Sequence, residues 1–135
     1  MRHNHIAVWV TVILNVALGF LWYAPSSFLE PWAYGFGIDT TAMGQPNPMA
    51  FIVVIIGTIF TCYVTSWLIT RMEIYGIRGG LKLGLLLWLG FGFPTIAPHY
   101  LFAQVGQSAL IIDLGFVLIA TVLTALILTL WRRRA

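Results

Sequence analysis

The sequence predicts an all-α integral membrane protein: a four-transmembrane-helix bundle with a short interfacial helix or turn between helices 1 and 2. Three observations carry that expectation. The chain of 135 residues is 60% hydrophobic and only 8% charged, with a mean hydropathy of +0.93; a soluble domain carries about 25% charged residues. Four apolar stretches are each near the roughly 20 residues that a helix needs to cross a 30 Å hydrocarbon core. Finally, every Lys and Arg falls on one side of a four-span arrangement. The length fits a single membrane domain.

The first span is expected over 6–24, ending at Pro25. It is too long for the apolar region of a signal peptide, and Trp22-Tyr23-Ala24-Pro25 is a poor cleavage site. The second, over 49–70, follows the breakers Pro46 and Pro48. The third, over 81–102, contains Pro94 and Pro98. The fourth covers 108–131. Hydrocarbon leaves no partner for an unpaired peptide group, so each stretch must be helical. Between spans one and two, Phe28 to Phe36 is too aromatic for a solvated linker and reads as an element lying on the interface. Asp39 to Pro48, rich in Thr, Gly, Asn and Pro, reads as a wet loop.

Orientation follows from charge. Basic residues resist translocation, so Arg2, Arg71, Arg78, Lys82, Arg132, Arg133 and Arg134 place both termini and the loop between spans two and three in the cytoplasm. Glu30, Asp39 and Asp113 fall toward the other side. Trp22, Tyr23, Trp32 and Tyr34 would form the outer aromatic belt, and Trp9, Trp67, Tyr75 and Trp131 the inner one. The net charge of +3 is therefore a topology signal, and no nucleic-acid partner is implied; the lipid bilayer is. Cys62 lies inside an apolar run with no second cysteine to pair with.

Few residues can carry chemistry. Asn15 sits near the middle of span one, where a polar side chain needs a partner; it either knits helices together or contacts a solute or ion. Asp113 lies a short way into span four, and His99 near the end of span three at comparable depth could pair with it as a proton relay. The alternative for Asp113 is a dipole partner at the start of its own helix. Trp88 is the one tryptophan inside a span rather than at an interface. No metal site or cofactor motif stands out, since the terminal His3 and His5 lack a second ligand pair.

Glycine and proline supply the packing signals. Gly76, Gly80 and Gly84 recur every fourth residue, a spacing that lets helices approach closely, and Gly19 lies on one face of span one with Thr11, Asn15 and Trp22. Pro94 and Pro98 each remove a backbone donor and should kink or break the outer half of span three.

These residues resemble a family of small bacterial membrane proteins known only as a domain of unknown function, number 1761. The resemblance rests on the span-one Asn, on Gly19-Phe20-Leu21-Trp22-Tyr23-x-Pro25 leading to Phe28 and Trp32, and on Trp88-Leu89-Gly90-Phe91. It continues through Tyr100-Leu101-Phe102 to Trp131 before the basic tail. It implies a four-helix membrane fold in the bacterial inner membrane, and no reaction. The functional expectation is a homo-oligomeric channel or transporter-like protein for a small solute or ion. The alternative is an accessory subunit of a larger membrane complex, or a lipid-binding protein, acting through the aromatic loop. A lipid-modifying enzyme using His99 and Asp113 would lack a nucleophile or metal.

Overall fold

The computed structural model describes residues 3–131 and contains four helices long and apolar enough to cross a membrane: His5–Trp22, Pro48–Arg71, Gly76–Phe102 and Gln107–Leu130. We name the elements α1 (His5–Trp22), α2 (Leu29–Phe36), α3 (Pro48–Arg71), α4 (Gly76–Leu87), a π turn (Trp88–Gly92), α5 (Phe93–Phe102) and α6 (Gln107–Leu130). The third span is thus α4, the π turn and α5 in sequence.

Local chemistry sets the boundaries. The Asn4 side chain caps α1 by accepting from the Ala7 N–H at 3.3 Å. The helix stops at Trp22, two residues earlier than expected, because Pro25 restricts the residue before it and lacks an N–H. Asn47 caps α3 through the Met49 N–H at 3.0 Å, with Pro48 at the first helical position. Gly37 ends α2 at φ 70°, the left-handed conformation that glycine adopts without strain. The third span begins at Gly76, five residues before the expected 81, since Gly76 at φ 70° makes the turn itself. In the wet loop, the Thr41 hydroxyl and backbone N–H hold the Asp39 carboxyl below its usual range.

Span three is widened rather than broken at its prolines. The Phe93 N–H bonds to the Trp88 carbonyl five residues back, the π pattern. Pro94 cannot donate to Gly90 and its ring crowds that carbonyl, so the helix accommodates one extra residue just upstream. Pro98 lies inside α5, which continues to Phe102.

α6 is the central element and packs against every other one. The core lies toward the end carrying the termini, hereafter the basic end: Ala7, Val8 and Val12 from α1, Cys62 and Ile69 from α3, Leu83 from α4, Ala125 and Leu128 from α6. Gly80 and Gly84 are why α4 lies so close to α6. A Cβ on Gly84 would sit 2.6 Å from the Val122 Cα, and one on Gly80 3.2 Å from the Leu126 Cα. At this end Asn4 Nδ2 donates to the Trp131 carbonyl at 3.0 Å, and the rings of His3 and His5 bond Ser66 (2.8 Å) and Tyr63 (2.9 Å) on α3.

Candidate functional site: an aromatic circuit closed by Asp113

At the opposite, aromatic end, three successive residues of α6 receive five aromatic donors. The Trp22 indole donates to the Ile112 carbonyl at 3.1 Å and the Trp88 indole to the Leu114 carbonyl at 3.0 Å. Between them, Asp113 accepts from the Tyr23 hydroxyl on Oδ1, and from the Tyr100 hydroxyl and the Trp32 indole (3.3 Å) on Oδ2. Successive residues on an α-helix turn by about 100°, so three of them present acceptors around much of its circumference. The donors come accordingly from the end of α1, from α2, from the π turn and from α5.

The rings also touch one another. Tyr23 meets Trp32 edge-on with centroids 6.0 Å apart, Trp32 lies 4.9 Å from Phe36, and Phe36 meets Tyr100 edge-on at 5.6 Å. Since Tyr23 and Tyr100 both bond Asp113, four rings and one carboxylate form a closed circuit. Trp32 and Phe36 present adjacent rings because they stand four apart on α2. Offset and edge-on pairs of this kind contribute roughly 0.5–1.5 kcal/mol each beyond burial. Trp22 extends the cluster to Phe28 and Phe116 at 4.9 and 6.3 Å.

Glycine also brings α2 to α6. The Gly106 N–H bonds the Gly35 carbonyl at 2.7 Å, and the Ser108 hydroxyl bonds the Pro31 carbonyl at 2.8 Å. A Cβ on Gly35 would lie 2.5 Å from that of Ala109. No residue with a side chain allows this approach, so Gly35, between them in sequence, is what lets Trp32 reach Asp113 and Phe36 reach Tyr100.

Asn15 occupies a different place. It is 7% exposed in a polar knot between helices, its Nδ2 donating to the Thr11 carbonyl (3.1 Å) and to Thr124 Oγ1 (2.8 Å), with Cys62 Sγ at 3.9 Å. Its Oδ1 has no partner. Of the remaining sequence candidates, Trp22, Tyr23 and Trp88 converge on the same stretch of α6 as Asp113, whereas His99 is exposed and bonds neither Asp113 nor the circuit. A Cβ on Gly19 would lie 3.7 Å from the Phe116 ring, and one on Gly76 would meet nothing within 4 Å. Among the described residues no group of three or more His, Cys, Asp or Glu is placed to hold a metal ion.

Trp32 and Tyr100 are the partners that sequence reasoning missed. The structure sets the phase: Ala97 is the buried residue of α5, and its neighbour on the same face is at +3, which is Tyr100 rather than His99.

This fold and these residues have a family. A family model described as "Protein of unknown function (DUF1761)" matches residues 6–129. The chain belongs to that family. Its matched span covers all four membrane helices except the end residues His5 and Leu130, and the whole Asp113 circuit. No curated protein and no solved structure matches the chain.

Proposed function

We propose that this DUF1761 protein is a transporter-like or channel protein for a small solute or ion, with Asp113 as the point where the solute is handled. One observation carries the reading: an acidic side chain within a membrane span, half-buried and facing neutral donors only. Ionisable groups are expensive at membrane depth and tend to mark solute, ion or proton pathways. The bacterial inner membrane with both termini cytoplasmic is the placement that the seven basic residues favour.

A homo-oligomer completes the proposal, because three spanning helices packed around a central fourth leave little room for a path between them. The Gly80–Gly84 face is already occupied by α6 of the same chain. The assembly face is instead the half of α3 from Met49 to Gly57, where every residue is exposed. Asn15 is packed into its knot and is not assigned to the pathway.

The test is flux of ions and small solutes in liposomes. Asp113→Ala should abolish or redirect it, and Asn15→Ala should not; vesicles that stay tight across a broad panel would remove the transport reading. A C-terminal reporter placed outside the cytoplasm would overturn the orientation. The rival role, an accessory subunit or lipid-binding protein, draws on the rim of α2, where Tyr34 is 83% exposed. A stable foreign partner retained in mild detergent would favour it.

A further inference from the structure

We infer that the Asp113 circuit binds an organic ammonium group, carried by a free amine or by a zwitterionic lipid headgroup. This rests on the proposal that Asp113 is the functional site and names what it takes.

The first ground is uncompensated charge. In the arrangement found, the Tyr23 and Tyr100 hydroxyls and the Trp32 indole each donate a hydrogen bond to the Asp113 side chain. All three donors are neutral, so none of them offsets the negative charge of a carboxylate. A charge in a membrane span is tolerated when it finds a counter-charge. Among the described residues the chain supplies none here: Arg71, Arg78 and Lys82 lie at the basic end, and His99, the only described base at the aromatic end, is exposed and makes no bond to Asp113. Glu30 and Asp39 lie toward the same end and take only hydroxyl and amide donors, from Thr40 and Thr41. That mouth therefore attracts cations from outside.

The second ground is the chemistry of the wall. Tyr23, Trp32, Phe36 and Tyr100 form a chain of ring contacts whose two ends, Tyr23 and Tyr100, bond the carboxylate. Aromatic faces carry the negative part of the ring quadrupole, and aromatic cages recognise alkylated ammonium groups. A small inorganic cation would favour hard oxygen ligands in number, whereas this site presents one carboxylate among aromatic rings, with its two phenol oxygens already turned to that carboxylate as donors. The third ground is access. Asp113, Tyr23, Trp32 and Tyr100 are all only partly buried, at the level where headgroups meet an aromatic belt.

Full-length protein purified in a neutral detergent would be titrated with tetramethylammonium or ethylammonium chloride, following melting temperature and tryptophan fluorescence. The expected result is a saturable response that NaCl and KCl do not give at equal ionic strength. Asp113→Asn should weaken half-saturation about tenfold or more, as expected when a charge-assisted contact is lost. Because Asp113→Asn can also disturb folding, Trp32→Leu provides a second readout: it retains the carboxylate, removes part of the wall, and should weaken ammonium binding several-fold. No response, an equal response to sodium or potassium, or unaltered binding in Trp32→Leu would overturn the inference.

Two lipid arms identify the source. If a headgroup is the ligand, free ammonium salts stabilise the protein in phosphatidylglycerol vesicles but add nothing in phosphatidylethanolamine vesicles; a free amine acts in both. Solute flux without ammonium binding would remove this inference and leave the transport proposal. Ammonium binding in vesicles that remain tight would do the reverse.

Discussion

The two ends of the bundle are joined by different chemistry. At the basic end, backbones are in near contact: Gly84 leaves no room for a methyl group before the Val122 Cα, and Ala7, Val8, Cys62 and Ala125 are fully buried. At the aromatic end only the short α2 comes as close, at Gly35, and the attachment is made chiefly by directional bonds from aromatic side chains onto three residues of α6. Close packing depends on many small contacts and tolerates no added atoms. Directional bonds concentrate the attachment in a few groups, which can exchange one partner for another. The basic end therefore serves as the rigid frame, and the aromatic end is the part able to respond to a ligand.

The sharpest way to break that contrast is to add volume to the frame. Gly84→Leu would drive its side chain into the backbone of α6, which cannot rotate away. A loss of more than about 3 kcal/mol is expected, at the upper end of overpacking costs, so that little folded protein survives extraction. Gly90→Ala is the control in the π turn, where an added Cβ meets nothing within 4 Å; its melting temperature should stay close to wild type. If both variants melt alike, the frame is not where stability resides.

Next in size is Asp113→Ala. It leaves two phenols and an indole without their shared acceptor, and the cost expected for such stranded groups is about 2–3 kcal/mol. Near-ultraviolet circular dichroism should lose aromatic signal while helix content is retained, because the basic end is untouched. Loss of helix in step with aromatic signal would show that the two ends do not separate in this way.

Sequence legibility follows the same division. The four spans and the interfacial element could be read because hydrocarbon imposes length and apolarity on any helix that crosses it. Gly80 and Gly84 were readable as a close-packing pair, but not that their partner would be α6 of the same chain, since spacing records a face and not its neighbour. At the aromatic end, Trp88 and Asp113 could be singled out as residues out of place in an apolar run, and Trp22 and Tyr23 as members of the outer aromatic belt. Their convergence could not, because it depends on Gly35 bringing α2 onto α6 and on the phase of α5 after the π turn. That one extra residue contributes to selecting Tyr100 over His99, and no periodicity argument applied across Pro94 would place it.

A smaller effect is expected from Trp88→Phe, which keeps the ring and removes the donor to the Leu114 carbonyl. That carbonyl retains its place in the helix ladder, so the loss should be near 1 kcal/mol, an ordinary net value for one hydrogen bond. A drop comparable to that of Asp113→Ala would mean that the indole braces the π turn as well as bonding α6.

The smallest effect is predicted at the polar residue nearest the middle of span one. Asn15 is more deeply buried than Asp113, yet its bonds are worse balanced: Nδ2 has two good acceptors, and Oδ1 has no donor. An unpaired buried acceptor offsets much of what the donor side contributes. Replacing Asn15 by Leu removes the orphan together with the bonds, so stability should change by less than about 1 kcal/mol. A double-mutant cycle between Asn15→Ala and Thr124→Val isolates the shared bond, and coupling of about 0.6 kcal/mol is expected, the average for polar contacts between membrane helices. Coupling above roughly 2 kcal/mol, beyond the range usual for such contacts, would make the knot as directional as the aromatic circuit. The division between a packed frame and a hydrogen-bonded end would then fail at the one polar residue that both accounts must explain.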